Sequence, residues 1–436
     1  MRLLINNIAK VKHAEIIIDG ITVIAGNNDT GKSTIGKVLF AMFNSMNGIE
    51  EKLLAEKEDT LRRNFISILQ DSLHFERDAV YFLVRRTYII SKIVHLLLDS
   101  ESSDENILNN KIIGYLKDEL LNKFDIKENG LLEISEKFIA EYKRVSSISD
   151  EKVLLTIVSR YFNEIFDGQI SSLRNDSSLN SSAELMIKNK VIQTIFSAGI
   201  CNKINQDLEI TKKAIYIDNP FILDDLQKSI FGTYVDNFLQ DKLLQTKDVA
   251  LEKGAYDSVD INDKLNSVES ILNTIINGKI EEKDYYMVLT KDGLSDGIHL
   301  QNVSTGLKSF ILIELLLQKQ ILTTKDVLVL DEPEIHLHPE WQLKYAEAIV
   351  LLQKVFDLNI VINTHSATFL EAIDLFSQIH KISDKCRYYL SKDSDVPNMS
   401  EFDDVTGSLD KVYKSLVTPT MALMRLREQL EESDND

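Results

Sequence analysis

The sequence predicts an α/β fold in which a core with a mixed β-sheet is interrupted by an inserted, mostly α-helical lobe. Three patterns within the 436 residues support this prediction. Stretches rich in β-branched residues open the chain, and a strand–helix–strand pattern occurs in its last third. Between them, apolar residues recur at intervals of three and four, which is typical of helices that pack together.

Residues 1–46 are predicted to form the N-terminal part of the core. The stretches RLLIN, AEIII and ITVIA indicate strands, and Ser33 to Phe43 has helical periodicity. At about residue 47 the pattern changes. Residues 47–210 are predicted to be the helical insertion, because the spacing of three and four is clear from Phe65 to Leu98.

Residues 211–284 are expected to link the lobe back to the core through an extended stretch, Ala214 to Pro220, and further helices. Residues 285–436 are predicted to complete the core and to end in an acidic tail. Within them, Tyr285 to Val303 alternates around a Gly/Asp turn and indicates a hairpin. The apolar stretches VLVLD and LNIVINT flank a helical pattern, which indicates a parallel sheet covered on both faces.

The composition is that of a soluble globular protein. The chain has 49 Lys and Arg residues against 68 Asp and Glu, and its net charge of -19 argues against a surface that coats nucleic acid or an acidic membrane. Cys201 and Cys386 are too far apart for a CxxC metal pair and too few for a disulfide framework. No apolar run approaches the roughly 18 residues of a membrane span. We therefore expect a cytoplasmic protein without a membrane partner.

The strongest motif is ITVIAGNNDTGKST, which fits the pattern G-x-x-x-x-G-K-[ST] between a strand and a helix. Its glycines let backbone N–H groups converge on phosphate oxygens, and the helix start adds a positive dipole. Lys32 is expected to reach the β- and γ-phosphates of ATP, and Ser33 to ligate Mg²⁺. An ordinary glycine-rich turn is the alternative. The residues predicted to bind the nucleotide here are Gly26, Asn27, Asn28, Asp29, Thr30, Gly31, Lys32, Ser33 and Thr34.

A second motif, VLVLDEPEIHLHPEW, follows later in the chain. Its apolar strand places Asp331 at the carboxyl end, where open parallel sheets bind ligands, so we predict that Asp331 holds Mg²⁺. Glu332 is the next residue, and we predict that it is the catalytic base that activates the attacking water. Two solvated acids in a turn are the alternative, which the apolar strand before them disfavours.

Three histidines lie near these strands in sequence. His365, in the stretch NTHS, ends an apolar strand and is predicted to touch a γ-phosphate. His336 and His338 alternate in the turn after Glu332 and are interpreted as turn residues or as a subunit contact. A zinc site is the alternative, but no cysteine lies nearby to complete a ligand set.

The stretch NVSTGLKSF places Ser304 and Gly306 just before a long helix, which indicates an anion site or a plain N-cap. Taken in order, GNNDTGKST, VSTGLKS, VLVLDEPEIHLHP and NTHS resemble the phosphate loop, signature, Walker B with D-loop, and switch histidine of ABC-class ATPases. The turn DEPEIHLHP is similar to the branch that contains the overcoming-lysogenization-defect (OLD), RecF-like and chromosome-maintenance proteins. The likeness covers about residues 1–46 and 285–370.

The resemblance implies a head-to-tail pair of chains with two nucleotides held between them. Ser304 and Gly306 of one chain would contact the γ-phosphate held by Lys32 of the other. ATP would close the interface and hydrolysis would open it. Asn219 is the candidate for the Q-loop residue of the family.

Two functions follow from the resemblance. Stand-alone ATPases of this branch work beside a separately encoded effector, as in bacterial antiphage pairs such as Septu and PARIS, so the first is an ATP-hydrolysing sensor or regulator of a nuclease or toxin. The D-x-D pair Asp393 and Asp395 is expected to lie in a loop and not in a Toprim nuclease domain. The alternative is a RecF-like clamp of DNA repair, with candidate DNA contacts at Arg62, Arg63, Arg85 and Arg86.

Overall fold

The computed structural model describes residues 1–73, 80–100, 104–120, 128–171, 180–224, 226, 233–244, 268, 270–283 and 286–433. Contacts divide the chain into two compact units, one of residues 1–47 with 158–436 and one of residues 48–157. Over the described ranges, no helix combines the length and apolar character needed to cross a membrane.

The bounds of the elements are as follows. The strands are β1 (Arg2–Ile8), β2 (Val11–Ile17), β3 (Ile21–Ala25), β4 (Ser181–Ile187), β5 (Lys190–Ser197), β6 (Ile200–Gln206), β7 (Ala214–Ile217), β8 (Lys279–Lys283), β9 (Tyr286–Thr290), β10 (Ile298–His299), β11 (Val327–Asp331), β12 (Asn359–Thr364), β13 (Cys386–Asp393) and β14 (Ser400–Asp404). The α-helices are α1 (Lys32–Met46), α2 (Ile49–Leu73), α3 (Val80–Asp99), α4 (Glu105–Leu120), α5 (Glu128–Ser146), α6 (Asp150–Phe166), α7 (Tyr234–Leu244), α8 (Thr305–Gln318), α9 (Pro339–Phe356), α10 (Ala367–Ile379) and α11 (Leu409–Ser433). Short 3₁₀ turns cover Pro220–Leu223, Leu300–Asn302 and Ser383–Lys385.

The larger unit is built on one mixed sheet. Among the described residues, eleven strands follow the order β6-β5-β4-β1-β2-β14-β13-β3-β12-β11-β7. The run from β13 to β7 is parallel, whereas β6 to β2 pair antiparallel. Because parallel strands end at the same edge of a sheet, the chain segments that follow Ala25, Ile217, Asp331 and Thr364 lie side by side. The predicted α/β class with a mixed sheet is confirmed.

Helix α1 packs closely on the parallel part of the sheet. The strands β3, β7 and β11 are buried at every residue, as expected for a sheet covered on both faces. In α1, a Cβ added at Gly36 would lie 2.6 Å from Val329 Cγ1, so only glycine permits this approach. Near the end of α1, Asn44 Nδ2 donates to Ala214 O at 2.8 Å, and Ala214 N donates back to Asn44 Oδ1 at 3.2 Å. These contacts fix the helix that begins at the phosphate loop.

Residues 181–206 are strands, where the sequence predicts helix. Strands β4, β5 and β6 pair in succession and join the core sheet through β1. Both of their turns have positive φ at two residues, 48° and 67° at Lys188 and Asn189, and 49° and 78° at Ala198 and Gly199. Such two-residue turns match the twist of hairpin strands. Helices α2 to α6 lie within the region 47–210 predicted to be helical, but β4 to β6 correct that prediction for residues 181–206. The sequence does not reveal these strands, because Lys-Asn and Ala-Gly are weaker turn signals than Asn-Gly.

Other local predictions can be compared with the strand pairs. β9 and β10 form the expected hairpin, which β8 extends to a separate three-stranded sheet. β11, α9 and β12 form the expected unit with parallel strands. The loop prediction for the D-x-D pair is wrong for Asp393, which ends β13 opposite Ser400 of β14. Asp395 follows that strand and pairs with Lys12 of β2.

The unit of residues 48–157 has an apolar core of its own, contributed by α2, α3, α4 and α5. The rings of Phe65 and Phe138 stack within it with their centroids 4.2 Å apart. Both side chains are fully buried, so each contributes about 2 to 3 kcal/mol of hydrophobic stabilisation.

The arginines considered as DNA contacts belong to this helical unit. Arg62 Nη2 donates to Glu58 Oε2 at 3.3 Å, and Arg63 Nη2 donates to Thr60 Oγ1 at 3.3 Å. Both partners lie on the same helix, which is how a solvated helix face satisfies its charges. The side chains of Arg85 and Arg86 lie outside the described residues.

Candidate nucleotide site

The phosphate loop connects the end of β3 to the start of α1. Gly26 and Gly31 have φ of 147° and 77°, values that L side chains rarely adopt, so the two glycines of the motif are required by the backbone. No side chain caps the start of α1, and its first turn contains no acidic residue. The backbone N–H groups and the positive end of the helix dipole are therefore available to an anion. This arrangement fits the phosphates of a nucleotide.

The side chain of Lys32 folds back over the phosphate loop. Its ammonium Nζ donates to the carbonyl oxygens of Gly26 at 3.0 Å and Asn27 at 2.6 Å, and only 5% of the residue is exposed. Burial lowers the pKa of Lys32, while the nearby charges of Glu332 and Asp331 act to raise it. The sheet therefore brings together the cation and the two acids that the sequence assigns to one site.

Asp331 is held by two side chains that the sequence analysis does not identify. The Tyr216 hydroxyl donates to its Oδ2 at 2.5 Å, and Asn363 Nδ2 donates to its Oδ1 at 2.9 Å. Burial, and then the charge of Asp331, raise the pKa of this Tyr216 hydroxyl well above its usual value, while the nearby Ser33 hydroxyl acts to lower it. Ser33 and Asp331 therefore both lie near the Tyr216 hydroxyl.

This arrangement fits a magnesium ion. A carboxylate oxygen has lone pairs beyond the one that each donor uses, so Asp331 retains acceptor capacity. Mg²⁺ prefers oxygen ligands and commonly takes one or two protein groups together with phosphates and water. Ser33 and Asp331 supply a hydroxyl and a carboxylate of this kind.

Glu332 and His365 meet where β11 and β12 end. Glu332 has a left-handed backbone, with φ of 49°, and its N–H donates to Asn363 O at 2.9 Å. His365 Nδ1 lies 3.4 Å from Glu332 Oε1, and both side chains are partly exposed. A carboxylate in this position can accept a proton from water. A strained backbone at such a residue is typical of functional sites.

Glu334 is a further buried acid in this site that the sequence analysis does not identify. Its Oε1 accepts hydrogen bonds from the Thr364 hydroxyl at 2.5 Å and from His365 N at 3.2 Å. Burial raises the pKa of Glu334, and these two hydrogen bonds act to lower it. Glu334 therefore holds the backbone at His365. Its signal in the sequence is a second acid, after Glu332, in the turn that follows VLVLD.

Asp218 follows β7 at the same edge of the sheet. A pocket of about 30 Å³ lies beside Asp218, Asp331 and Glu332, which is room for about one water molecule. Burial, and then the charges of Asp236 and Asp331, raise the pKa of Asp218 to about 6. Asn219, the Q-loop candidate, also borders the pocket, but its Oδ1 accepts from Phe221 N at 2.8 Å and caps a 3₁₀ turn.

Replacing Asp218 by asparagine is expected to stabilise the larger unit at pH 7.5 and to change little at pH 4. Because the pKa rises from 3.8 to about 6 on folding, the unfolded state releases its proton first as the pH rises. Wild-type stability therefore falls between about pH 4 and pH 6 because of this group, by about 1 kcal/mol, since solvent screens the charge of this exposed residue. Asparagine cannot ionise, so the variant lacks this loss.

The measurement is urea unfolding in EDTA without nucleotide, followed by fluorescence of Trp341. Trp341 is the single tryptophan of the chain and lies in the larger unit with Asp218. Asp241→Asn, at an exposed position in α7, is the matched control. An Asp218→Asn variant with the wild-type slope of stability against pH would show that folding does not raise the pKa of this carboxyl.

The signature residues lie at the start of α8. Ser304 is exposed, and its hydroxyl makes no capping hydrogen bond. Gly306 is buried, and a Cβ there would lie 3.0 Å from His336 O and 3.2 Å from Trp341 Cε3. Gly306 therefore packs against the turn between β11 and α9, whereas the contacts of Lys32 are within the phosphate loop. Within one chain, the contacts of Gly306 and the contacts of Lys32 therefore involve different residues.

The remaining histidines have local contacts. The ring of His336 meets Phe221 edge to face at 5.3 Å, and His338 Nδ1 accepts from Glu340 N at 3.4 Å as the N-cap of α9. Among the residues that the structure describes, no group of three or more His, Cys, Asp or Glu side chains is arranged to hold a metal ion. The contacts match the interpretation of His336 and His338 as turn residues.

A family model for an AAA ATPase domain matches residues 1–370. The chain belongs to this AAA ATPase family. The match begins before the phosphate loop and ends after His365, so it contains every residue of the site described above. This ATPase therefore binds and hydrolyses ATP. β13, β14 and α11 lie beyond the matched region.

The ATPase is also similar to solved structures of SMC head domains. The SMC head domain from Thermotoga maritima is 12% identical with a TM-score of 0.38, over 93% of this chain and 98% of that one. An SmcHead bound to the C-winged helix domain of ScpA is 11% identical with a TM-score of 0.44, over 94% and 98%. A Pyrococcus furiosus Smc head with an extended coiled coil, bound to the C-terminal domain of ScpA, is 9% identical with a TM-score of 0.33, over 98% of each chain. These are distant likenesses.

Proposed function

We propose that this ATPase works in the cytoplasm as a dimer that holds two magnesium–ATP complexes between its chains. ATP-dependent closing of the dimer regulates a separately encoded nuclease or toxin in prokaryotic antiphage defence. The observation that supports ATP binding at this site is that four side chains come together at one edge of the parallel sheet. They are Lys32, Asp331, Glu332 and His365.

Each residue has a role that follows from its position. Lys32 and the N–H groups at the start of α1 bind the phosphates. Ser33 and Asp331 hold Mg²⁺, which supplies charge neutralisation when bound. Glu332 accepts a proton from the attacking water, and His365 beside it contacts the γ-phosphate.

The surface around the signature supports the dimer. The start of α8 has no acidic residue in its first turn, and Ser304 leaves its hydroxyl exposed. Two apolar side chains near His336 are also exposed, Phe221 at 39% and Ile335 at 53%. A second chain could present its phosphate loop to this surface. It would cover these apolar side chains and place its γ-phosphate at the N-terminus of α8.

A complementation experiment tests this composite site. Lys32→Ala and Ser304→Arg are each expected to abolish turnover alone. An equal mixture gives heterodimers in which one site has both an intact Lys32 and an intact Ser304. We expect the mixture to recover about a quarter of wild-type phosphate release, since half the dimers are mixed and each has one working site.

The matched control mixes Lys32→Ala with the double variant Lys32→Ala/Ser304→Arg, which leaves no intact site in any pairing. Its phosphate release should stay at background. Full turnover by Ser304→Arg alone, or a mixture no more active than its components, would rule out a site shared between two chains.

The regulatory role is supported by two features. The likeness to the ATPases of Septu and PARIS suggests a separate effector. In addition, β13 and β14 are strands of the ATPase sheet itself, so Asp393 and Asp395 lie in and beside that sheet and not in a nuclease core. Asp393 and Asp395 are therefore not candidates for the nuclease activity of the effector.

A further inference from the structure

Strand β13 brings a side chain from beyond the family match to the phosphate loop. β13 pairs in parallel with β3, so that Tyr389 lies beside Ile24 and Leu390 beside Ala25. The next residues along the chain are Ser391, which is still in β13, and Gly26, which follows β3. A Cβ added at Gly26 would lie only 1.8 Å from Ser391 Oγ. The first residue of the loop therefore packs directly against this hydroxyl.

The donors of the resulting hydrogen bonds can be assigned. Ser391 Oγ lies 2.7 Å from Thr30 Oγ1, and Ser391 is 8% exposed. Thr30 Oγ1 donates its proton to Asn27 O at 2.8 Å. A hydroxyl has one proton to donate, so the Ser391 hydroxyl is the donor to Thr30. The two hydrogen bonds therefore run in series from Ser391 in β13 to Thr30 and then to the Asn27 carbonyl of the loop.

The same series of hydrogen bonds extends to Lys32, the nucleotide-binding lysine. The carbonyl of Asn27 accepts from Thr30 and also from Lys32 Nζ. On the outer side of the loop, Lys10 pairs with Asp29, but most of the Asp29 carboxylate is exposed, and such a pair contributes little. The buried contact with Ser391 is therefore the stronger tie between the loop and the sheet.

We propose that Ser391 is a positioning residue for nucleotide binding. Its hydroxyl fixes Thr30 and, through Thr30, the carbonyl of Asn27, so that the loop keeps its shape before ATP arrives. Holding a binding loop in its bound shape increases affinity, because less freedom is lost on binding. This inference rests on the proposal that the loop from Gly26 to Thr34 is the nucleotide site.

The test is a double-mutant cycle on ATP affinity, with Ser391→Ala, Thr30→Val and the double variant. Loss of one hydrogen bond predicts about 5- to 10-fold weaker ATP binding for Ser391→Ala by calorimetry. We expect kcat at saturating ATP to stay within about twofold, because the variant leaves the catalytic groups in place. In the Thr30→Val background, Ser391→Ala should have no further effect on affinity, since its partner is absent.

Two controls make the outcomes decisive. Ser377→Ala also removes a hydrogen bond of a buried serine, to Asp374 O in α10, and reports the effect of lost stability alone. Lys32→Ala reports whether the loop is the nucleotide site. If only Lys32→Ala weakens binding, or if Ser391→Ala and Ser377→Ala weaken it equally, the role of Ser391 is refuted. If neither Lys32→Ala nor Ser391→Ala changes binding, the proposed site is refuted with it.

Discussion

Replacing Lys32 by alanine is expected to weaken ATP binding by about 100-fold or more and to reduce turnover to background. The buried ammonium is the positive side chain that bonds the loop carbonyls of Gly26 and Asn27, and acids surround it. Without it, a triphosphate would face Asp331 and Glu332 with no side-chain cation from the loop. Interactions of this strength contribute about 3 kcal/mol or more. Calorimetry measures the binding, and phosphate release measures the turnover.

Lys354→Ala is the matched control, because Lys354 is an exposed lysine on α9. It should bind and hydrolyse ATP as the wild type does. The fluorescence of Trp341 during thermal unfolding then shows whether Lys32→Ala is folded. A folded Lys32→Ala protein with wild-type turnover would show that catalysis takes place elsewhere.

The core strands could be predicted from the sequence because their pattern is local. ITVIA and VLVLD are continuous apolar runs, and burial on both faces of a parallel sheet demands such runs. Strands β4 and β5 could not be predicted in the same way. Their alternation is visible, as in Ala183 and Leu185, which are both fully buried, but it lies next to a long helical region and lacks a strong turn signal.

The candidate site could be predicted where its residues belong to a contiguous sequence motif. Lys32, Asp331 and Glu332 belong to such motifs, and the sheet brings them together. Tyr216 and Ser391 could not be predicted, because each is a polar residue in a strand and acquires its partner only from the strand order. β7 lies next to β11, and β13 lies next to β3, over long separations in sequence.

Replacing Glu332 by glutamine is expected to reduce turnover by about 100-fold or more while ATP binding stays within a few fold of wild type. Glutamine keeps the shape of the side chain and can still accept from His365, but it cannot take a proton from water. The groups proposed to bind phosphate and magnesium, Lys32, Ser33 and Asp331, are unchanged. Phosphate release measures turnover, and calorimetry measures binding.

The same variant is expected to accumulate as an ATP-bound dimer, because hydrolysis no longer opens it. Size-exclusion chromatography with light scattering should show the dimer with ATP and its loss with ADP. Glu340→Gln, at an exposed acid of α9, is the control and should behave as the wild type does. Wild-type turnover by Glu332→Gln would remove Glu332 as the base, and a monomer in saturating ATP would contradict closure by ATP.

Two inactive variants then separate regulation by the ATP-bound state from regulation by turnover. In the proposed cycle, Lys32→Ala does not close on ATP and Glu332→Gln does not reopen, so the two variants are expected to trap opposite states although both lack turnover. Co-expressed with the product of the neighbouring gene, they should shift cell survival in opposite directions relative to the wild type. If both variants shift survival equally, turnover and not closure controls the effector. If neither changes it, that gene product is not under the control of this ATPase.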